Sequence, residues 1–259
     1  MILIGNSDSV DIGALPLSQT ERAVAMKKQR SPVTYRYEST DALLFELRMR
    51  SRIVDSAYAL LASGIRFTTF EYSEGREPYW FRMVNGGLRL NPDIQPSEAI
   101  LDIFYNGRAY AVECATAIVI VLYRAVLESI GRGPFNLYFR DLLLYDWHYD
   151  EDLRMKSIDN IEEANVGDVL YFKNPDHAPD QPQWQGENTV LLPGGVHYGH
   201  GIGIKSTEGI IAGLNRRRRP GSQISAYLTD RVVFPDFAYL RRLSGIVGRI
   251  GSSIYIQNL

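Results

Sequence analysis

The sequence predicts an α+β fold, on three observations. Apolar residues recur at helical spacing through the first half of the chain. In the second half they give way to short apolar runs between polar turns, the pattern of an antiparallel sheet. No linker-like stretch divides the two halves, so the 259 residues read as a single domain, with the first ~30 and the last ~15 residues peripheral to it.

The elements follow in order. Residues 1–38 are mixed and show no clear period. Residues 41–63 predict a helix, because Leu43, Leu47, Val54, Tyr58 and Leu61 recur at helical spacing and Gly64 supplies a stop. Residues 67–72 and 79–84 are aromatic-rich strand candidates around a polar turn. Pro96, Ser97 and Glu98 open a second helix, which Asn106 and Gly107 close. Residues 113–130 predict a third helix, ended by Gly131. It is apolar on nearly every face, which places it at the centre of the fold. Strands are predicted over 142–145, 169–172, 189–192, 202–204 and 210–214. Residues 174–186, NPDHAPDQPQWQG, hold three prolines and polar filler and predict a long loop, a place where function often resides.

Composition excludes several classes. Hydrophobic residues are 45% and charged residues 22%, so bulk disorder is out. With 28 Lys and Arg against 30 Asp and Glu the net charge is −2, which argues against a nucleic-acid binder. The N-terminus, MILIGNSDSV, has no basic region before its short apolar patch and does not read as a secretory signal. The longest apolar run, 115–123, is too short to cross a bilayer. The expectation is a protein made in the cytoplasm, with no membrane and no nucleic-acid partner.

A single cysteine excludes an intrachain disulfide and a Cys-based zinc cage. It falls at Cys114, in the first turn of the predicted central helix and directly after Glu113. A helix N-terminus offers free N–H groups and partial positive charge, both favourable to a thiolate. Half-ionising an ordinary thiol at neutral pH needs about 2 kcal/mol, and a partly buried helix end supplies at most ~2 kcal/mol. A neighbouring base would still be required. The same residue in an apolar helix also reads as a small core hydrophobe.

Candidate partners lie in the second half. His200 sits in YGHGIGI, where flanking glycines would leave its ring open to a ligand; it also reads as a solvent-exposed turn histidine. His148 and His177 are weaker candidates. No histidine pair has metal-site spacing, so no metal and no cofactor are expected. Glu187 enters an apolar strand just after Trp184, where desolvation would raise its pKa and suit it to act as a base near neutrality; it also reads as a surface glutamate at a strand edge. Trp147 and Trp184 flank candidate catalytic residues and would wall a narrow slot. The basic run Arg216–Arg219 reads as a solvated turn before Pro220 and Gly221, or as a patch for an acidic protein.

Five motifs occur in order: ECATAIVI (113–120), LLLYDWHY (142–149), GDVLYFKNP (167–175), QWQGEN (183–188) and the His200 segment. Together they resemble the spore-coat protein-glutamine gamma-glutamyltransferases of endospore-forming bacteria, continuously from about residue 32 to about residue 230. The resemblance implies a calcium-independent transglutaminase of papain-like fold, related to cell-wall peptidases, whose nucleophile at the N-terminus of a buried helix packs on an antiparallel sheet. It places the nucleophile at Cys114, the partner carboxylate at Glu187 and the active-site histidine at His200, with Glu113 as a substitute carboxylate. Phe67, Trp147 and Trp184 match aromatics that line a substrate tunnel. The implied partners are coat proteins donating glutamine and lysine side chains, and the implied location is the spore coat. The Arg216–Arg219 run is more basic than the family pattern. Glu187 and His200 both remain as the main base. A cysteine hydrolase would use the same residues, and a non-catalytic coat scaffold would use Cys114 as core.

Overall fold

The computed structural model describes residues 1–5, 11–250 and 253–257, and the surroundings of side chains up to residue 245. Helices and sheets mix as an α+β fold should. The helices are α1 (Gln19–Arg30), α2 (Thr40–Ala62), α3 (Pro96–Tyr105), α4 (Cys114–Ile130), α5 (Arg132–Tyr138), α6 (Thr207–Asn215) and α7 (Phe237–Leu243). Their starts are written locally. Ser18 and Glu21 form a reciprocal capping box on α1, Ser39 accepts from Ala42 N–H at α2, and Pro96 occupies the first turn of α3. Gly131 ends α4 with φ 84°, a left-handed conformation that glycine adopts without steric cost.

Helix α4 is the spine, packed against α2 on one side and the sheet on the other. Ile118, Val119, Val121 and Leu122 have no exposed surface. Each such side chain contributes roughly 1.5–3 kcal/mol by leaving water.

The strands form one large sheet and several small ones. The short strands are β1 (Ile2–Ile4), β2 (Tyr35–Tyr37), β3 (Arg66–Phe67), β4 (Trp80–Arg82), β5 (Leu88–Leu90), β6 (Ala111–Val112) and β7 (Leu143–Leu144). Of these, β1 pairs with β2 and β3 with β6, both in parallel, while β4, β5 and β7 form a three-stranded sheet. The main sheet uses β8 (Met155–Asp159), β9 (Val169–Lys173), β10 (Gly186–Leu191), β11 (Val196–Gly199), β12 (Gly203–Ser206) and β13 (Tyr227–Pro235). Its order is β12-β11-β10-β9-β13-β8, antiparallel throughout, so β10 lies inside the sheet and carries its residues towards α4. A last hairpin joins β14 (Ile246–Ile250) to β15 (Ser253–Gln257).

The structure departs from the sequence expectations in specific places. Residues 210–214, expected as a strand, lie inside α6. Ser206 caps that helix, and Ile210, Gly213 and Leu214 bury one helical stripe, a pattern that a short apolar run does not separate from a strand. The strand expected over 67–72 ends at Phe67 and continues as a 3₁₀ turn, Phe70–Tyr72. The unreadable first 38 residues contain α1, β1 and β2. The first 30 residues, expected to be peripheral, contribute Ile2, Val24 and Ala25 to an apolar cluster with Leu43 and Leu47 of α2. The expectation of a peripheral C-terminal tail falls on residues 245–259, almost all of which lie outside the described side chains.

Candidate active site

Two small structural decisions put the candidate groups together. The parallel pairing of β3 with β6 sets Phe67 beside Val112, two residues before the cysteine. The chain then turns at Glu113 and starts α4 with Cys114 as its first residue. From the other side, β10 delivers Glu187 and Asn188. Cys114 is 9% exposed and Glu187 0%. The Asn188 amide donates weakly to Cys114 Sγ at 4.0 Å and is the thiol's one hydrogen-bond partner among the described residues.

A cavity of about 410 Å³ opens over the thiol. Its walls include Phe67, Phe70, Asp146, Tyr171 and Asn188, with Gln183 and Gln185 from the loop before β10. Tyr171 and Asn188 are cross-strand partners in β9 and β10, so they reach the cavity as a pair. No Lys, Arg or His lines it among the described residues, whereas Glu113 and Asp146 do.

Glu187 is the most perturbed carboxyl of the site. Burial pushes its pKa up to about 8, Glu113 adds to the shift, and the Gly201 N–H and Arg217 oppose it. Gly201 N–H donates to Oε1 at 3.0 Å, while Oε2 is buried with no partner. A buried carboxyl oxygen without a partner is costly in a folded protein and marks a group awaiting one. Burial also pushes the Cys114 thiol well above its ordinary range, with Glu187 and Glu113 adding to it and Asn188 opposing. The resting pair is thus a thiol and a largely protonated acid at neutral pH.

Glu113 has a different place from the one expected for a spare base. Its Oε2 accepts from Ala115 N–H and its Oε1 from Thr116 N–H, both at 2.6 Å. It is the cap of α4, and both carboxylate oxygens are engaged. The cap also takes two of the helix N–H groups expected to be free for a thiolate or an oxyanion.

His200 is brought to the same corner but not to the sulfur. Its Nε2 lies 3.2 Å from the Arg66 carbonyl, which can only accept, so Nε2 carries the hydrogen. Nδ1 then accepts from the Tyr198 hydroxyl at 3.2 Å. Loss of solvent pushes its pKa down to about 4, against the pull of the Arg66 and Val112 carbonyls, so the ring is neutral. The expectation that glycines leave this ring open is corrected: the glycines make room for other groups. A Cβ on Gly199 would lie 2.8 Å from Glu187 Oε1, and one on Gly201 would lie 2.9 Å from the Trp184 ring.

Of the aromatics expected in the walls, Phe67 lines the cavity. Trp184 stands behind it, with ring centroids 5.0 Å apart. Trp147 is half-buried and meets Tyr149 edge to face, while its neighbour Asp146 faces the cavity, held at φ 49°. His148 is exposed and His177 forms an isolated backbone bridge with Arg218; neither lines the cavity over the thiol. Asn188, Tyr171, Phe70 and Asp146 were not singled out in the sequence. Asn188, Tyr171 and Asp146 lie inside quoted motifs, and Asn188 and Asp146 adjoin residues that were.

The Arg216–Arg219 run is not simply a solvated turn. Arg216 is exposed, but Arg217 Nη1 donates to the Gly213 carbonyl at 2.7 Å, Arg218 Nη1 to the Ile224 carbonyl at 2.7 Å, and Arg219 pairs with Asp176 at 3.1 Å. The run clasps the loop before β10 onto the end of α6.

Comparison with known proteins adds an independent finding. Residues 1–244 match the family model described as protein-glutamine gamma-glutamyltransferase. A Bacillus licheniformis protein of that name is 45% identical over 230 residues, covering 89% of this chain and 93% of that protein. One from Bacillus pumilus is 42% identical, covering 90% and 94%. The solved structure of a transglutaminase from Geobacillus stearothermophilus, without its C-terminal extension, superposes with a TM-score of 0.75 at 50% identity. It covers 78% of this chain and 96% of that one.

Proposed function

Since the chain belongs to the protein-glutamine gamma-glutamyltransferase family, we propose that Cys114 and Glu187 are its working pair, forming γ-glutamyl-lysine crosslinks between proteins through a cysteinyl thioester. The buried Glu187 carboxyl, with one oxygen unpartnered beside a buried thiol, carries this reading.

The steps balance as follows. The Cys114 thiol gives its proton to the Glu187 carboxylate, and Sγ attacks the γ-carboxamide carbon of a glutamine. The C–N bond breaks, and the Glu187 proton leaves with ammonia. The neutral ε-amine of a lysine attacks the thioester and loses a proton to Glu187, which passes it to Sγ as the C–S bond breaks and so regenerates the thiol. A carboxyl with a pKa near 8 suits both directions of transfer. Asn188 Nδ2, beside the sulfur, is the available side-chain donor for the oxyanion, because Glu113 occupies the Ala115 and Thr116 N–H groups. His200, with both nitrogens engaged, positions the corner instead of moving protons. Glu113 caps α4 and takes no step. Phe67, backed by Trp184, would admit unbranched side chains and keep water from the thioester, and Trp147 stands beside the wall residue Asp146. Asp146 in the cavity wall would attract a lysine ammonium, which sheds one proton to solvent before the neutral amine attacks.

The arrangement of a cysteine at the head of a central helix, facing an antiparallel sheet that supplies its partner, supports a papain-like fold within one catalytic domain. Calcium independence is proposed on the motif resemblance. Spore-coat proteins are proposed as substrates, and the coat as location, on the motif resemblance. No helix among the described residues is long and apolar enough to cross a membrane.

The test is incorporation of a labelled primary amine into a glutamine protein, with ammonia measured alongside. Wild type should incorporate amine equally with and without a calcium chelator, and Cys114→Ala should retain its fold with no activity. Ammonia release without amine incorporation would instead identify a hydrolase, and crosslinking by Cys114→Ala would remove the thioester.

A further inference from the structure

We propose that Arg217 is a positioning residue of this centre, plating the Trp184 indole and so holding the corner from which Gly201 grips Glu187. The inference rests on the proposed role of Glu187 and adds a residue to it. Arg217 is fixed at both ends. Its backbone carbonyl accepts from Ala178 N–H at 2.9 Å, which ties it to the loop before β10. Its guanidinium donates to the Gly213 carbonyl at the end of α6 and lies 3.6 Å from the centroid of the Trp184 ring. The indole is thereby pressed into the corner it shares with Phe67 and Gly201. The gap there is so tight that a single added methyl on Gly201 would approach Trp184 to 2.9 Å and Phe67 to 3.1 Å. The backbone N–H of that same Gly201 holds Glu187 Oε1. The contacts run without a break from Arg217 through Trp184 and Gly201 to the carboxyl that moves the proton.

An arginine suits this task better than a lysine. Its planar group stacks on an aromatic face while its N–H groups still reach a carbonyl, and it stays charged when partly desolvated. The charge adds a second effect. The groups that act on Glu187 are Glu113, the Cys114 thiol, Tyr198 and Arg217, and Arg217 is the one cation among them. It opposes the burial that pushes the carboxyl up.

The experiment compares wild type, Arg217→Met, Arg217→Lys and the exposed neighbour Arg216→Met. The readouts are amine incorporation and iodoacetamide alkylation of Cys114, both across the pH range around 8, with melting temperatures alongside. Activity should rise with pH as Glu187 ionises. Arg217→Met should move that acidic limb up by roughly half a pH unit, through loss of a nearby cation. It should also lower kcat/KM about tenfold, through a loosened corner. Arg217→Lys should restore the limb but not the rate, and Arg216→Met should match wild type. The proposal is overturned if Arg217→Met keeps both limb and rate, or if its rate falls only in step with its folded fraction while the limb stays put. If Arg217→Met does not fold, a folded Arg217→Lys with wild-type rate also overturns it. Failure of wild type to incorporate any amine would refute the function, while the alkylation profile would still test Arg217.

Discussion

A thiol flanked by two buried carboxyls is poorly placed to rest as a thiolate. Burial pushes Cys114 up, Glu187 and Glu113 push it further, and the helix N–H groups that would offset them are engaged by Glu113. In the proposed mechanism the thiol is therefore ionised during the reaction, by the carboxylate form of Glu187. Removal of that group should cost about 10²- to 10⁴-fold in amine incorporation for Glu187→Gln. The same variant makes a thermodynamic prediction. Glu187 holds its proton in the folded protein up to about pH 8, against an ordinary 4.5. Its stability contribution is thus complete below the ordinary value and is lost as pH rises through the folded one. Glutamine does not titrate. Glu187→Gln should melt above wild type near pH 9 and converge on it near pH 5, by a gap on the order of a few kcal/mol at most. Melting curves that stay parallel at both pH values would show that the carboxyl is not strained as described.

At the scale of elements, the site depends on a corner, the Gly199–Gly201 turn leaving β11. Gly199→Ala would drive a methyl to 2.8 Å from Glu187 Oε1, and its neighbours there are a carboxyl and its stem. We expect about a tenfold or greater fall in kcat/KM with a cooperative unfolding transition preserved, read by amine incorporation and chemical denaturation together. Unchanged activity would mean that Glu187 has room to shift. The elements that build this corner differ in how legible they are in sequence. Helices α2, α3 and α4 announce themselves by period and stop signals, and the central place of α4 follows from its lack of a polar face. Helix α6 does not, because five apolar residues satisfy either a strand or one helical stripe. A place for His200 near this corner was legible, but its ring partners were not. The partners that engage its ring, Arg66 and Tyr198, come from two separate strands, and no spacing in the chain encodes that meeting. The settings of Cys114 and Glu187 were readable for the opposite reason, since each is local: a helix start and an apolar strand.

Across the whole molecule, a buried ionic network joins parts that no motif connects. Lys28 of α1 meets Glu46 of α2, and Arg50, one turn on, bonds Glu46 at 2.8 Å and Asp168, in the turn before β9, at 2.6 Å. The arginine is 2% exposed. Burial pushes Glu46 up, but Lys28 and Arg50 outweigh it and hold the carboxyl at about 2. The network therefore ties the N-terminal helix, the long α2 and the main sheet at one point. Such a network stabilises little relative to apolar packing, yet breaking it leaves buried charges without partners. Arg50→Met removes the cation shared by Glu46 and Asp168 while keeping most of the side-chain volume. We expect it to cost about 3–5 kcal/mol in urea unfolding, with amine incorporation per folded molecule unchanged, because no network residue lines the cavity over Cys114. A loss under ~1 kcal/mol would show that the sheet and α2 are held by the apolar core alone. A loss of specific activity without loss of stability would instead mean that Asp168 reaches the site through β9, the strand that carries Tyr171 into the cavity.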